Sequence, residues 1–319
     1  MISGTIPAEH RSAVLFLAYS ILGASPFVGA VAGLPFFPPV LFAALRIDIG
    51  AVLLLALVVM RGGYWRPRTH EDAIGVLVTG VLTLGANIAF VFIGQQYVGS
   101  AVGSVIYSLA PLVTTAFAFF LLPIERLDAL GGVGIVLGFV GAVIVANPDP
   151  SNLLDATTQG VLLVFLSAAS FGFGNVVTRR VDPDLPSLTL TAWGLLVAAV
   201  CVHSASMVRG ESFAGIEWTA QAVLSLLGVG VIATAVLYRI HFELLSEIGA
   251  TKTNLAYYAH PISTAFAGSL LLGERITLIT VSGLVVIFLG FLLIEWRTVS
   301  ESPAAYLKCQ AMSTAEERR

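Results

Sequence analysis

The sequence predicts an all-α membrane protein with ten transmembrane helices, arranged as two inverted five-helix repeats around a central cavity. Three observations predict this fold. The 319 residues are 57% hydrophobic and 11% charged, whereas about a quarter of the residues in a soluble globular chain are charged. Apolar stretches of about 20 residues, the length at which a helix spans a bilayer, cover most of the chain. The second half of the chain also repeats features of the first half.

Cutting the apolar stretches at polar, glycine and proline clusters gives ten predicted spans. They cover roughly 13–31, 38–60, 73–94, 98–122 and 128–147 in the first half, and 158–178, 186–208, 219–241, 249–272 and 276–296 in the second. The turn-rich joint from Asn147 to Asn152 lies between the two halves. We therefore divide the chain into a first repeat (1–147), a second repeat (148–298) and a tail (299–319).

The first span imitates a secretory signal peptide, because Arg11 precedes an apolar run that ends near Ala30-Val31-Ala32. We interpret it as a span instead. The run is long enough to cross the membrane, and the second half contains its counterpart.

The repeat is clearest when Gly99–Gly141 is aligned with Gly249–Gly290, which needs one single-residue gap. The matched pairs include Gly99 and Gly249, Tyr107 and Tyr257, Pro111 and Pro261, Glu125-Arg126 and Glu274-Arg275, Gly134 and Gly283, and Gly141 and Gly290. Because each half has an odd number of spans, the second half is predicted to enter the membrane upside down. Inverted repeats of this kind place a binding site between the halves and open it alternately to either side.

Lysine and arginine in short loops set the orientation, because they are enriched on the cytoplasmic side. One side holds Arg11, Arg61, Arg66, Arg68, Arg126, Arg179, Arg180 and the basic residues of the tail, and the other clearly holds only Arg209 and Arg275. We therefore predict a multi-pass protein of the cell (inner) membrane with both termini cytoplasmic. The net charge of −3 and the absence of a polybasic arm argue against nucleic acid as a partner. Two cysteines without metal-type spacing predict neither a disulfide nor a metal site, and no cofactor is expected.

These features resemble the drug/metabolite transporter superfamily, specifically its EamA-type ten-helix members. The resemblance lies in the two five-helix repeats, in Tyr107, Pro111 and Ile124-Glu125-Arg126-Leu127, and in their echo Tyr257, Pro261 and Gly273-Glu274-Arg275-Ile276. Arg46 and Trp193, at aligned positions of the second and seventh spans, also fit the family pattern. The resemblance implies a basket-like fold in which spans 1, 3, 4, 6, 8 and 9 surround the cavity. It also implies export of amino acids and related metabolites, without fixing the substrate.

One departure from related families matters for coupling. Small multidrug relatives carry an essential glutamate in the first helix for proton-coupled exchange of organic cations. The first span offers Tyr19, Ser20 and Ser25 instead, which argues against cation efflux by that route.

The candidate substrate-binding residues lie mainly in the ninth and fourth spans. Asn254, Tyr258 and Pro261 recur on one helical face, with Tyr257 and His260 beside them. Tyr107, Ser108 and Pro111 repeat the theme in the fourth span. Such prolines and serines also simply shape helix bundles, which is the alternative interpretation.

Further candidates are Arg46, Asn87, Tyr19 and Trp193, with Tyr238 beside them. Arg46 either bonds structurally to neighbouring helices or faces the cavity. Trp193 is either a cavity wall or plain packing. Asp48 is the one carboxylate clearly at depth and the first candidate for proton coupling, while Lys252 either snorkels to the interface or contacts an anion.

We predict a secondary transporter, an exporter of small metabolites such as amino acids, that works by alternating access. The alternatives are an intramembrane enzyme and a channel. An enzyme would need a nucleophile with a base, paired aspartates or a metal cluster at membrane depth, and no such motif stands in the sequence. Small solutes and the bilayer are the expected partners. The driving ion, the direction of transport and the choice between monomer and homodimer remain open.

Overall fold

The computed structural model describes residues 8–122, 129–148, 151–152 and 155–294. The side chains of residues 8–10, 246, 249–252 and 254–258 lie outside that description, as do Glu125, Arg126 and the tail. Every regular element in the described part is helical.

The helices, in chain order, are α1 (Ala8–Leu22), α2 (Ser25–Gly33), α3 (Pro39–Arg61), α4 (His70–Val78), α5 (Asn87–Gly94), α6 (Ser100–Tyr107), α7 (Ala110–Leu121), α8 (Ala129–Ala146), α9 (Ala156–Val181), α10 (Ser187–Val208), α11 (Ala220–Leu227), α12 (Leu237–Leu272) and α13 (Leu278–Ile294). Two π-helical segments, Thr79–Ala86 and Gly228–Val236, join α4 to α5 and α11 to α12.

Eight helical segments in the described part are long and apolar enough to cross a membrane. They are Arg11–Gly33, Pro39–Arg61, His70–Gly94, Ser100–Leu121, Ala129–Ala146, Ala156–Val181, Ser187–Val208 and Ala220–Leu245, and they coincide with the first eight predicted spans. The predicted tenth span is the shorter apolar helix α13, and the predicted ninth lies within α12. The protein is therefore a multi-pass, all-helical membrane protein, while the count of ten stays a prediction.

Two predicted spans are corrected, because each is broken into two helices. The first predicted span consists of α1, which ends at Leu22, and α2, which begins at Ser25 and has Pro26 in its first turn. The fourth likewise breaks between Tyr107 and Ala110, with Pro111 in the first turn of α7. Proline has no N–H and clashes with the carbonyl four residues earlier, so it starts a helix readily and does not continue one.

Helix α12 runs without interruption from Leu237 to Leu272, where the sequence predicts two spans and a short connection. The ring of Tyr19 nevertheless lies 5.6 Å from that of His241 and 5.1 Å from that of His260. Nineteen residues of straight helix would separate the two histidines by about 28 Å, so α12 is strongly bent between them. The structure thus has one bent helix where the sequence predicts two spans, and the opposite orientation of those spans stays a prediction.

The two π segments occupy corresponding places. One precedes Asn87 in the first half and the other precedes Leu237 in the second, positions that differ by the same spacing as Gly99 and Gly249. Glycines next to these segments allow close helix contact: a Cβ at Gly174 would lie 2.8 Å from the backbone nitrogen of Thr83, and one at Gly80 2.7 Å from the carbonyl of Gly194. A π turn is rare and often marks a functional site.

Helices α8 and α13 meet through glycines. A Cβ on Gly134 would collide with the carbonyl oxygen of Gly290, and one on Gly141 would lie 2.8 Å from the carbonyl oxygen of Gly283. These glycines therefore serve a close helix contact within one chain.

Carboxylates cap helices that belong to the other half of the chain. Glu274 accepts hydrogen bonds from the Ser100 N–H (2.7 Å), the Ser100 hydroxyl (2.8 Å) and the Ala101 N–H (3.3 Å) at the start of α6. Glu211 accepts from the Val40 and Leu41 N–H groups of α3, at 3.3 and 2.7 Å. A carboxylate at a helix N-terminus satisfies free N–H groups and opposes the positive end of the helix dipole.

Asp72 forms the third of these contacts. It accepts from the Leu185 N–H just before α10, at 3.1 Å, while also accepting from the Arg68 and Thr69 N–H groups and the Tyr64 hydroxyl. The hydrogen bond that Tyr64 donates to Asp72 raises the pKa of that phenol. Residues 62–69 are thereby held against the start of α10.

Replacing Glu274 tests the caps. We expect Glu274→Ala to destabilise the protein by about 1–3 kcal/mol, because it leaves N–H groups of α6 without an acceptor. Glu274→Gln should cost less, since the amide oxygen still accepts. The measurement is the unfolding midpoint of the purified protein in detergent, with the exposed neighbour substitution Arg275→Ala as the control. Equal midpoints for Glu274→Ala and Arg275→Ala would contradict the cap.

Candidate functional site

A cavity of about 90 Å³, room for several water molecules, lies between helices of both halves. It is lined by Tyr19, Pro26, Phe27, Arg46, Asn87, Ile88, Val91, Tyr107, Phe171, Ala233, Leu237, Tyr238 and His260. These residues come from α1, α2, α3, α5, α6, α9, α12 and the second π segment, and none comes from α8 or α13. The wall is mainly aromatic and aliphatic, with a few polar groups that converge on the same space, which is the usual make-up of a small-molecule site.

Arg46 supplies the charge of the cavity. Its side chain is 7% exposed, its Nε donates to Thr234 Oγ1 at 3.5 Å, and its guanidinium lies 5.8 Å from the ring centroid of Phe92. A Cβ on Gly50, one turn further along α3, would collide with the Thr234 methyl group. Glycine at position 50 therefore lets the second π segment approach α3 closely enough to meet Arg46.

The first π segment holds Asn87 in place. Asn87 Nδ2 donates to the Thr83 carbonyl at 3.0 Å, and Asn87 Oδ1 accepts from the Ser167 hydroxyl at 2.6 Å. Ser170 on the same helix donates to the Leu82 carbonyl at 2.8 Å. These bonds satisfy backbone groups that the π turn rearranges, and they fix the orientation of Asn87 at the cavity wall.

Tyr19 and His260 form one end of the cavity. The Tyr19 hydroxyl lies 3.1 Å from His241 Nδ1, and the His260 ring packs against Gly23, where any Cβ would overlap it. The break between α1 and α2 at Gly23 thus makes room for His260. On another wall, Tyr107 packs edge-on against Phe27 at 5.6 Å and lies 6.1 Å from Phe171.

Five predicted binding residues therefore lie around one cavity: Tyr19, Arg46, Asn87, Tyr107 and His260. The structure places four others away from its lining. Ser108 donates to the Val105 carbonyl at 2.6 Å, Pro111 and Pro261 lie within helices outside the lining, and Trp193 Nε1 donates to the Trp65 carbonyl at 2.8 Å. The side chains of Asn254, Tyr257 and Tyr258 lie outside the described residues, and their roles stay predictions.

Sequence reasoning missed the apolar part of the lining, such as Phe27, Phe171 and Leu237. These residues carry no polar signal within an apolar span. The repeat offers a signal that could have found some of them. Asn87 and Ile88 in the first half correspond to Leu237 and Tyr238 in the second, at the spacing that separates Gly99 from Gly249. Both pairs line the cavity.

Asp48 points away from the cavity. Its Oδ2 lies 2.8 Å from His203 Nε2, so a carboxylate of α3 meets an imidazole of α10 outside the cavity lining. The side chain of Lys252 lies outside the described residues, and its role stays a prediction.

A second pocket of about 240 Å³ lies one turn of α12 beyond the cavity. We call it the arginine vestibule, and its walls are Leu57, Arg61, Leu188, Arg239, Phe242 and Glu243. The rings of Tyr238 and Phe242 stack at 6.3 Å between the two spaces. Glu243 pairs with Arg11, which also pairs with Glu247 at 2.6 Å.

Comparison with known proteins agrees with this architecture. The model of the EamA-like transporter family matches residues 11–147 and again residues 158–296. The chain is 28% identical over 275 residues to "Uncharacterized transporter YoaV" of Bacillus subtilis, covering 86% of this chain and 93% of the relative. It is 27% identical over 308 residues to a "Probable amino-acid metabolite efflux pump" of Escherichia coli, covering 91% and 97%.

A third relative and a solved structure extend the comparison. "Uncharacterized inner membrane transporter YedA" of Escherichia coli is 26% identical over 286 residues, with 88% of this chain and 89% of the relative covered. A crystal structure superimposes with a TM-score of 0.62 at 19% identity over 89% of this chain and 97% of the other, which supports the fold alone.

Cysteine substitutions at the neighbouring residues Tyr107 and Ser108 test which of the two faces the cavity. The chain has two cysteines, so Cys201→Ala with Cys309→Ala gives a background without thiols. In it, Tyr107→Cys should react with a small water-soluble thiol reagent about tenfold faster than Ser108→Cys, because a thiol reacts only where water and reagent reach it. The measurement is the labelling rate of purified protein. Equal rates would contradict the assignment of Tyr107 to the cavity and Ser108 to the packed bundle.

Proposed function

Because the chain belongs to the EamA-like transporter family, we propose that it exports small metabolites of the amino-acid type as a secondary transporter that works by alternating access. The observation that carries the proposal is the cavity enclosed by helices from both halves, whose lining residue Arg46 of the first half donates to Thr234 of the second. The relative named as a probable amino-acid metabolite efflux pump supports the substrate class.

Two halves related by a two-fold axis in the membrane plane are a common basis of alternating access, and several contacts support that relation here. The alignment pairs Gly134 with Gly283 and Gly141 with Gly290, while the structure packs Gly134 on Gly290 and Gly141 on Gly283. Gly134 thus contacts the counterpart of Gly141, and Gly141 contacts the counterpart of Gly134. Such reciprocal pairs are the pattern of a two-fold contact.

The carboxylate caps and the π segments add to this support. Asp72 of the first half reaches the start of α10, and Glu211 of the second half reaches the start of α3. The two π segments stand at matching positions of the halves. We therefore propose an inverted duplication with the first repeat ending at 147 and the second at 298, to which the two separate family matches also lend support.

An enzyme is the weaker alternative. The family is a transporter family and the relatives are named transporters. In the stretches covered by the structure, His, Cys, Asp and Glu form no cluster of three that could hold a metal ion. No observation favours a channel over a transporter, and the flux experiment below separates them.

Transport is tested in proteoliposomes loaded with a panel of labelled amino acids. We expect saturable flux and counterflow for at least one solute, because an alternating site binds its substrate before moving it. Tyr107→Ala should lower the flux at least about tenfold, as expected when an aromatic wall worth about 1.4 kcal/mol or more is removed. Val200→Ala, at a lipid-facing position that is 69% exposed, is the control.

Absence of flux for every solute, from protein that is folded by its melting curve, would contradict the proposal. Flux that does not saturate and shows no counterflow would identify a channel instead.

The orientation is tested with the tail. In a Cys201→Ala variant, Cys309 is the remaining cysteine, and we expect a membrane-impermeant maleimide to label it in inside-out vesicles and not in intact cells, because the basic loops predict a cytoplasmic C-terminus. Detergent-solubilised protein gives the maximal labelling. Labelling of intact cells to that level would reverse the predicted topology.

A further inference from the structure

We propose that the central cavity selects small aromatic monocarboxylate anions, and that Arg46 binds their carboxylate. The proposal rests on the transport function above and changes its substrate class, from amino acids to aromatic acids without an ammonium group. It is carried by the charge of Arg46, by the composition of the cavity wall and by the arginine vestibule.

Arg46 is a buried cation with little internal compensation. Among the described residues its one hydrogen bond is the contact from Nε to Thr234 Oγ1 at 3.5 Å, which is at the long limit for such a bond. No described carboxylate lies within 4.0 Å of it, and Asp48, two residues away, is engaged by His203. A buried charge is costly unless it is paired and hydrogen-bonded, so an anion that enters the cavity is stabilised there.

Thr234 leaves the guanidinium available for a ligand. Its hydroxyl donates to the Val229 carbonyl at 3.1 Å and so presents a lone pair to Arg46 Nε. Among the described residues, no acceptor lies within hydrogen-bond distance of the two terminal nitrogens of Arg46, whose side chain lines the cavity. An arginine fork held at Nε offers parallel N–H groups, the geometry that binds a carboxylate at two points.

The cavity wall is suited to an apolar body and not to a cation. The described residues that line it include no aspartate or glutamate, whereas Tyr19, Phe27, Tyr107, Phe171 and Tyr238 supply five aromatic rings. Aromatic pairs gain about 0.5–1.5 kcal/mol beyond their buried area. A ligand with one carboxylate and one ring therefore matches both parts of the wall, and an added ammonium group finds no counter-charge in the lining.

The arginine vestibule places further positive charge close to the cavity. Arg61 and Arg239 line it, and Glu243, the carboxylate in its wall, is paired with Arg11. A cleft lined by charges of one sign raises the local concentration of the opposite ion. Anions would thus be concentrated one helical turn from the stacked rings of Tyr238 and Phe242 that separate the two spaces.

A set of probes with one skeleton tests the selectivity. Labelled 3-phenylpropionate is bound to the full-length protein in detergent by equilibrium dialysis, and is displaced by 3-phenylpropionamide (neutral), 3-phenylpropylamine (cationic), phenylalanine (zwitterionic) and acetate (anionic, without a ring). We expect 3-phenylpropionate to bind at least about tenfold more tightly than each of the others, because a hydrogen bond to a charged group contributes about 1.5–3 kcal/mol.

Two variants assign the selectivity to Arg46. Arg46→Gln should weaken the binding of 3-phenylpropionate about tenfold to a hundredfold and leave the binding of the amide unchanged. The affinity of Arg46→Lys for 3-phenylpropionate should lie between those of the wild type and Arg46→Gln, because lysine keeps the charge and lacks the two-point geometry of the guanidinium. Should Arg46→Gln fail to fold, the wild-type probe series still decides the ligand class. Thr234→Val, which removes the acceptor for Nε, then tests the role of Arg46: it should weaken the binding of 3-phenylpropionate by a smaller factor and leave that of the amide unchanged.

Several results would overturn the proposal: no binding of 3-phenylpropionate at millimolar concentration, equal binding of the amide or amine, acetate as tight as the aromatic acid, or an anion affinity that Arg46→Gln does not change. Flux of amino acids without any preference for anions would overturn this proposal and keep the transport function. Selective anion binding without flux of any solute would keep this proposal and overturn the transport function.

Discussion

The interaction on which the structure most depends is the capping of helix ends by carboxylates from the other half of the chain. A helix in a bilayer satisfies its own backbone except at its ends, where the first N–H groups have no internal partner. Glu274 supplies acceptors to α6, Glu211 to α3, and Asp72 to the residue before α10. Each cap crosses between the halves, so the same bonds that complete a helix also fix the position of one half against the other. With the glycine contacts between α8 and α13, these bonds form a frame around the aromatic cavity.

Irregular backbone is concentrated where this frame surrounds the cavity. The break at Gly23 admits the His260 ring, the break after Tyr107 ends one cavity wall, and the two π segments present Asn87 and Thr234. Non-helical backbone at membrane depth is tolerated where it is buried in protein or lines a cavity. The polar side chains nearby, such as Ser167 and Ser170, therefore have two tasks. They hold Asn87 and satisfy a carbonyl of the π turn.

The spans could be predicted from the sequence because bilayer thickness fixes the length of an apolar helix. The site was predictable only in part. Tyr107 and Asn87 stand out as polar residues in apolar runs, whereas Phe171 and Leu237 look like ordinary packing. Trp193, which aligns with Arg46, instead donates to the Trp65 carbonyl, and a contact to a loop backbone leaves no pattern in the sequence. The count of spans predicts two helices and a connection between Leu237 and Leu272, whereas the continuous, bent helix α12 was not predictable. It depends on local geometry that composition does not encode.

Arg46 has a consequence for the synthesis of the chain. A charged residue at the centre of a helix costs about 2.5–3.5 kcal/mol on insertion scales, and Thr234, to which Arg46 donates, is made 188 residues later. The segment Pro39–Arg61 must therefore enter the bilayer on its own apolar residues, which give it a mean hydropathy of 2.3. Its valines, leucines and alanines offset the insertion cost of Arg46 until Thr234 has been made. Only assembly with the second half then gives the guanidinium the enclosed position in which it can meet a ligand.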